Sequence, residues 1–439
     1  MGGRTMGMMV AWVVLLLALP QDWPTLQQNN RRTGYTPEAI APPYTEVWRH
    51  DFEEMIDVRV QPIVSGGLVL VPTYSGNLHA LDSATGKLRW TFHAQGPFFS
   101  PPSVDSAGRI LISCQDRNVY ALNLADGKRL WSFETGEGVW ASPAVEEGTA
   151  YVGSRDGLFY ALDANTGRVS WSSKVGSPIL STAALDAERV YFAAEDLHAW
   201  ALDRKTGAVA WKAKLTGQSA RSYWPVVSGR YVYVRTLPVR SWAQHPYNVQ
   251  VDAKVPDPVA RVEEFLKRDP ASRCFFALDP KMGSDTTFPV LWTAGGGTVP
   301  FPPVALPGDR IATPAPSGER TASSGSSSVS ILDETTRAGR NNYVRVIADE
   351  SYGYSAAGPW LFSSHHDYLQ VVDTRKDPDQ AKNTITILGK RDRPADDRAA
   401  QWFGNHDNHP GWHAASLANG HVYWITQGSW LFVFKGSRG

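Results

Sequence analysis

The stretch Ala80–Trp90, ALDSATGKLRW, decides the fold. An apolar run ends on Asp82, turns through Thr85-Gly86 and returns to Trp90. The pattern recurs as ALNLADGKRLW from Ala121, ALDANTGRVSW from Ala161 and ALDRKTGAVAW from Ala201, at spacings of 41, 40 and 40 residues. A fixed period near forty means stacked copies of one supersecondary unit. In the copy from Ser142 to Gly176, four short runs (PAV, TAYVGS, LFYALD, RVSWSSKV) are split by EEG, RDG and ANTG. Alternating, β-branched and aromatic runs bounded by Gly and Asp read as strands in hairpins. Four antiparallel strands per forty residues predict a propeller blade, with strands lettered A (innermost) to D.

Within the unit each recurring position has a structural job. Asp82, Asp163 and Asp203 close strand C and cap the turn through side-chain oxygens. Gly86, Gly127, Gly167 and Gly207 supply the positive φ of a tight C–D turn. Trp90, Trp131, Trp171 and Trp211 fall in strand D, where each can bury about 200 Å² between neighbouring blades. Trp48 and Trp292 hold the equivalent place in other units. The motif is glue between blades and carries no chemistry of its own.

The pattern A-x-D-x-x-T-G-x-x-x-W resembles the tryptophan-docking motif of quinoprotein propellers. That superfamily holds dehydrogenases that use pyrroloquinoline quinone (PQQ) and non-catalytic envelope proteins of the BamB type, and this chain is similar in character to the latter. Four copies match closely over residues 49–211 and later ones decay. The resemblance implies the fold and says little about chemistry.

Counting onward, the fifth unit reads YWPVVSGRYVYVRT, then CFFALDPKMG, with strand D ending at Trp292 and an insertion over residues 237–272. The sixth and seventh are weaker, and the last, WHAASLANGHVYWITQGSWLFVFKGSRG, supplies only three strands. YTEVWRHDF, residues 44–52, has a strand-D Trp with no A, B or C before it. An N-terminal strand that completes the C-terminal blade closes the ring and removes two open edges. The expectation is an all-β propeller of eight four-stranded antiparallel blades over residues 44–439, or seven if the sixth and seventh units are one.

Residues 1–20 carry one Arg ahead of an apolar run from Met6 to Leu19. That run is shorter than the ~20 residues a membrane helix needs and suits a signal-peptide core, with an uncut short anchor as the alternative. Residues 21–43 read as an N-terminal extension. The expectation is therefore an exported protein, periplasmic or extracellular, with no stable span once the signal is removed. Lysine plus arginine and aspartate plus glutamate both number 43, so no basic groove for nucleic acid is expected. The two cysteines, Cys114 and Cys274, fall in distant units and read as free packed thiols.

Antiparallel order puts A–B and C–D turns on one face and B–C turns with D–A crossovers on the other. The irregular segments all fall on the second face, and elaborated loops are where scaffolds commonly carry function. There, Phe99, Trp140, Trp224, Phe301, Tyr354 and Trp412 enter strand A. They either ring the channel mouth, to stack on a planar cofactor or sugar, or pack between blades. Arg221, beside Tyr223 and Trp224, offers a fork to a ligand carboxylate. His365, His366 and Asp367, with His406, Asp407, His409 and His413, form either a metal or catalytic cluster or ordinary loop side chains. In the insertion, Val259, Val262, Phe265 and Leu266 recur at helical spacing between Pro258 and Pro270. Such a helix suits a lid, a docking element or a plug on the blade edge.

Two readings of function follow. One is a non-catalytic binding or assembly scaffold that takes a protein or glycan partner on the loop-rich face. The other is a PQQ- and calcium-dependent dehydrogenase of alcohols or sugars. The resemblance implies, for the dehydrogenases, a cofactor between a Trp and a disulfide of adjacent cysteines, with calcium on Glu, Asn and Asp. Cys114 and Cys274 are far from adjacent, and no such triad or haem Cys-x-x-Cys-His is evident. A BamB-type lipid anchor requires an N-terminal Cys, and that is missing too. A hydrolase or glycan-active enzyme on the His-rich face is a third class, unsupported by any nucleophile-elbow or zincin motif.

Overall fold

The computed structural model describes residues 21–221, 223–237, 267–268, 270–284, 302–316, 327–335, 344–345, 351–365, 369–376, 384–388, 413–426 and 429–438. They form eight sheets around one axis. Blades 1 to 4 begin at strands A of Ile63–Ser65, Ser103–Val104, Ala144–Glu146 and Ala184–Leu185, and each is a four-stranded antiparallel meander. Blade 5 (from Val226–Ser228) has three described strands, and blades 6 and 7 start at Val304–Leu306 and Ser351–Ala357. Blade 8 combines the C-terminal strands Ser416–Ala418, His421–Ile425 and Trp430–Arg438 with Ile40–Asp51 as its strand D. Seven of the sheets thus have a full set of four antiparallel strands among the described residues. Strand A of blade 8 lies against that of blade 1, which closes the ring.

The repeat explains how neighbouring blades hold together. Asp82 Oδ1 accepts from the amides of Ala84 and Thr85 and from the Thr85 hydroxyl, at 3.2, 3.0 and 2.9 Å, and fixes the C–D turn. Asp163 and Asp203 do the same for their turns. Each strand-D indole then lies on the turn of the next blade. Trp48, Trp90, Trp131, Trp171 and Trp211 donate Nε1–H to the carbonyls of Ser83, Leu124, Ala164, Arg204 and Pro280, at 2.9–3.1 Å. The turn glycine is required twice over at Gly167. Its φ is 71°, and a Cβ there would sit 2.7 Å from Trp131 Cε3. Trp48 docking on blade 1 joins blade 8 to its neighbour by the same contact. Trp292 lies outside the described residues.

The centre of the ring is filled by the chain's own N-terminal segment, residues 21–36. Its backbone meets the open edge of one strand A after another. The Asn419 amide after strand A of blade 8 donates to Gln21 O, and Trp23 exchanges both bonds with Val64 of blade 1. The amides of Val104, Leu185, Val227, Ala305 and Ala356, in blades 2, 4, 5, 6 and 7, donate to the carbonyls of Pro24, Asn30, Arg31, Thr33 and Gly34 at 2.7–2.9 Å. Blade 3 is reached through Asn30 Nδ2, 2.7 Å from Val145 O. Tyr35–Thr36 then adds to blade 7 as a parallel fifth strand. Innermost strands have no partner toward the axis, and an unpaired buried amide is costly. The segment read from sequence as an extension supplies that partner for seven blades and meets blade 3 through the Asn30 side chain. Trp23 and Arg32 within it are fully buried.

Both cysteines are buried, and they are not joined to each other in a disulfide. Within the insertion, Pro270–Ser272 is a 3-10 turn. The helix expected over Val259–Leu266 lies outside the described residues, as do residues 1–20. No helix among the described residues is long and apolar enough to cross a membrane.

Candidate functional site at the channel mouth

Residues 21–36 bond near the ends of strands A that lead into the A–B turns. The opposite end of the channel, where strands A begin, is lined by the residues just before them. Four positions ahead of strand A stand Arg59, Phe99, Trp140 and Leu180 in blades 1 to 4. Repeat register therefore places these four side chains on one rim. Ser100 and Pro101, Thr182, and Arg221 with Tyr223 and Trp224 add further walls, and Leu26 from the central segment forms the floor. The pocket they enclose is about 20 Å³, room for roughly one water molecule.

Its aromatic side is organised by an arginine that the sequence reading passed over. The Arg59 guanidinium stands 5.0 Å from the Phe99 ring centroid and 4.7 Å from that of Trp140, and those rings meet edge-on at 5.1 Å. Asp57 holds Arg59 by two bonds of 2.7 and 2.9 Å, with the arginine side chain only 18% exposed. Arg155 approaches Trp140 as well, at 5.7 Å. Cation–π contact of this kind contributes roughly 0.5–2 kcal/mol each. Arg59 was findable from sequence. RVQPIV stands where FSPPSV and WASPAV stand in the next two units.

Of the expected mouth residues, Phe99, Trp140, Arg221 and Trp224 come together here. Arg221 is exposed, with no acidic partner among the described residues, and no carboxylate lines the pocket. Tyr354 lies deeper, fully buried in blade 7. Trp412 shares the four-before-strand-A position in blade 8, but it and Phe301 lie outside the described residues.

The histidine candidates are not brought together by the described part of the molecule. His413 is a core residue, 2% exposed, with Nδ1–H donating to Val60 O at 2.7 Å. Burial holds its pKa below the usual value against the opposing effect of that bond. The His365 side chain, His366, Asp367, His406, Asp407 and His409 lie outside the described residues. Among the described residues no three His, Cys, Asp or Glu side chains group as a metal set.

With ring and mouth in place, the comparisons are specific about fold. The family model described as outer membrane protein assembly factor BamB matches residues 38–141 and 115–243. BamB from Moraxella catarrhalis superposes at TM-score 0.58 with 15% identity, over 90% of this chain and 100% of that one. Quinohemoprotein alcohol dehydrogenase from Comamonas testosteroni gives 0.60 and 13%, over 94% and 80%. The computationally designed protein Ika8 gives 0.59 and 12%, over 89% and 99%. Sequence comparison with curated proteins gives no significant match. The chain is a β-propeller, and over residues 38–243 it is similar to the PQQ-like repeats of that family model.

Proposed function

We propose that this propeller is an exported binding or assembly module, periplasmic or extracellular, that engages a protein or glycan partner through the loop-rich face around the channel mouth. The observation that carries this reading is the filled channel. Residues 21–36 occupy the axis, and the mouth above Leu26 offers about 20 Å³. That space suits a carboxylate or one small side-chain tip. It does not suit a planar three-ring quinone, and no described acidic set stands ready for its calcium. The group therefore does not fit this described pocket, and the likeness to an alcohol dehydrogenase at 13% identity speaks to the fold alone. The match to a model described as an assembly factor supports the same side.

The chemistry of the mouth sets the kind of contact. Arg59 is neutralised by Asp57, whereas Arg221 brings positive charge without an acidic partner among the described residues beside the Trp140 and Trp224 rings. An exposed guanidinium next to aromatic faces favours a carboxylate on the partner. The test is calorimetry of the chain lacking residues 1–20 with peptides ending in a free carboxylate and their amidated forms. Retention of the free acids alone, weakened about tenfold or more by Arg221→Ala, is expected. Saturable one-to-one binding of PQQ with calcium would replace this reading with the dehydrogenase.

A further inference from the structure

A second charged site lies behind the channel mouth. Arg235 ends strand B of blade 5 (Tyr231–Arg235) and is 0% exposed. Its guanidinium lies 4.5 Å over the Phe275 ring, and Nη2 donates to the Thr313 hydroxyl of blade 6. Nε and Nη1 meet no acceptor among the described residues. The Tyr223 hydroxyl, 2% exposed and electrostatically close to that guanidinium, meets no hydrogen-bond partner either. The remaining polar neighbours that feel the charge are Cys274 and Tyr354, and none of the groups is a carboxylate.

The same strand face shows how this interblade seam treats a polar group that does have an acid. Two residues earlier, the Tyr233 hydroxyl donates to Glu334 Oε1 at 2.8 Å, and Ser228 donates to the other oxygen at 2.8 Å. Glu334 is committed there, at the A–B turn end. Arg235, at the other end of the strand, has neutral hydroxyl and thiol groups around it and no counter-charge among the described residues. Burying a guanidinium without one is among the costliest arrangements a core can hold. The burial depresses its pKa to about 10, which still leaves it charged at neutral pH.

We propose that Arg235 and Tyr223 bind a small monovalent anion, a halide or formate, in the seam between blades 5 and 6. The anion accepts from the guanidinium and from the Tyr223 hydroxyl. It supplies the acceptor that both lack and the charge that the described residues do not. Tyr223 also walls the channel-mouth pocket, but the proposal rests on the buried Arg235 and stands if the channel-mouth reading falls.

Bromide and gluconate at equal ionic strength decide it. Diffraction from wild-type crystals soaked in sodium bromide should show an anomalous peak within hydrogen-bonding distance of Arg235 and the Tyr223 hydroxyl. The melting temperature should rise with bromide, chloride or formate relative to gluconate, since a ligand bound only by the folded state stabilises it by mass action. Tyr223→Phe should need about tenfold more bromide for the same rise, and Arg235→Met should lose the response. A water-sized peak without anomalous signal, bromide at surface positions only, or equal melting in bromide and gluconate would each overturn the proposal. The soak uses the wild-type chain, so its outcome does not depend on how well Arg235→Met folds.

Discussion

Glu54 stands in the crossover from blade 8 to blade 1 and binds three residues of blade 1. Its carboxylate accepts from the Thr73 hydroxyl at 2.5 Å and from Asn77 Nδ2 at 3.0 Å, and meets His79 Nε2 at 2.9 Å. Burial pushes its pKa up, but the bonds from His79, Thr73 and Asn77 outweigh that and hold it at about 2, against 4.5 when free. A depressed carboxylate stabilises the fold above its unfolded pKa and loses that contribution as pH falls through the folded one. Between pH 4.5 and 2 the wild type should therefore lose melting temperature more steeply than Glu54→Gln. A pH series of calorimetric melts reads the difference, and parallel curves would remove Glu54 from the account. At this scale the repeated residues were legible and the unrepeated ones were not. Asp82, Gly86 and Trp90 announce themselves because the next unit says the same thing. Glu54 and Arg235 occur once, and their partners come from other blades or other strands, so no spacing reveals them.

The element that sequence pattern could not assign is the central segment. DWPTLQQNNRRTGYT has neither strand alternation nor helical period. Its role is made by backbone carbonyls, which every sequence has, presented to edges that the fold alone creates. Local conformation is held in part by Gly34, whose φ is 64° and where a Cβ would stand 2.2 Å from Gln27 Oε1. Arg32 anchors the loop inside the ring, donating to Ala183 O and Leu26 O at 2.9 Å each. Removing residues 21–36 should free the amides of Val64, Val104, Leu185, Val227, Ala305 and Ala356. At a net ~0.5–1 kcal/mol per bond the loss comes to about 3 kcal/mol or more. Hydrogen exchange should show those six amides accelerated together, and a peptide of residues 21–36 added in trans should slow them again. Unchanged protection would mean that the strands are satisfied some other way.

For the molecule as a whole, the propeller was legible, while the sequence left the count open between eight blades and seven. Even the weak seventh unit and the three-strand eighth appear where their turn residues put them, because a propeller leaves no other place for a forty-residue meander. The ring is closed by two polypeptide ends, with Ile40–Asp51 pairing against Trp430–Arg438. Deleting residues 21–51 removes strand D of blade 8, and with it the Trp48 contact to blade 1. Such a chain should leave the Trp430–Arg438 edge open and self-associate. Sedimentation velocity should show oligomers for it beside a monodisperse full chain, and an equally monodisperse truncated chain would argue against closure by this strand.

The filled axis also sets a timetable. Residues 21–36 leave the ribosome before any edge they will occupy exists, and their final contact, at Asn419, is made by residues synthesised nearly four hundred positions later. At roughly 5–20 residues per second the wait is on the order of tens of seconds. A segment that must idle in water for that long is safest rich in Gln, Asn, Arg and Thr, as this one is, and poor in the Val and Ile that would seek any strand at hand. Its polarity, which hides it from pattern reading, is thus what lets it arrive last at the place reserved for it.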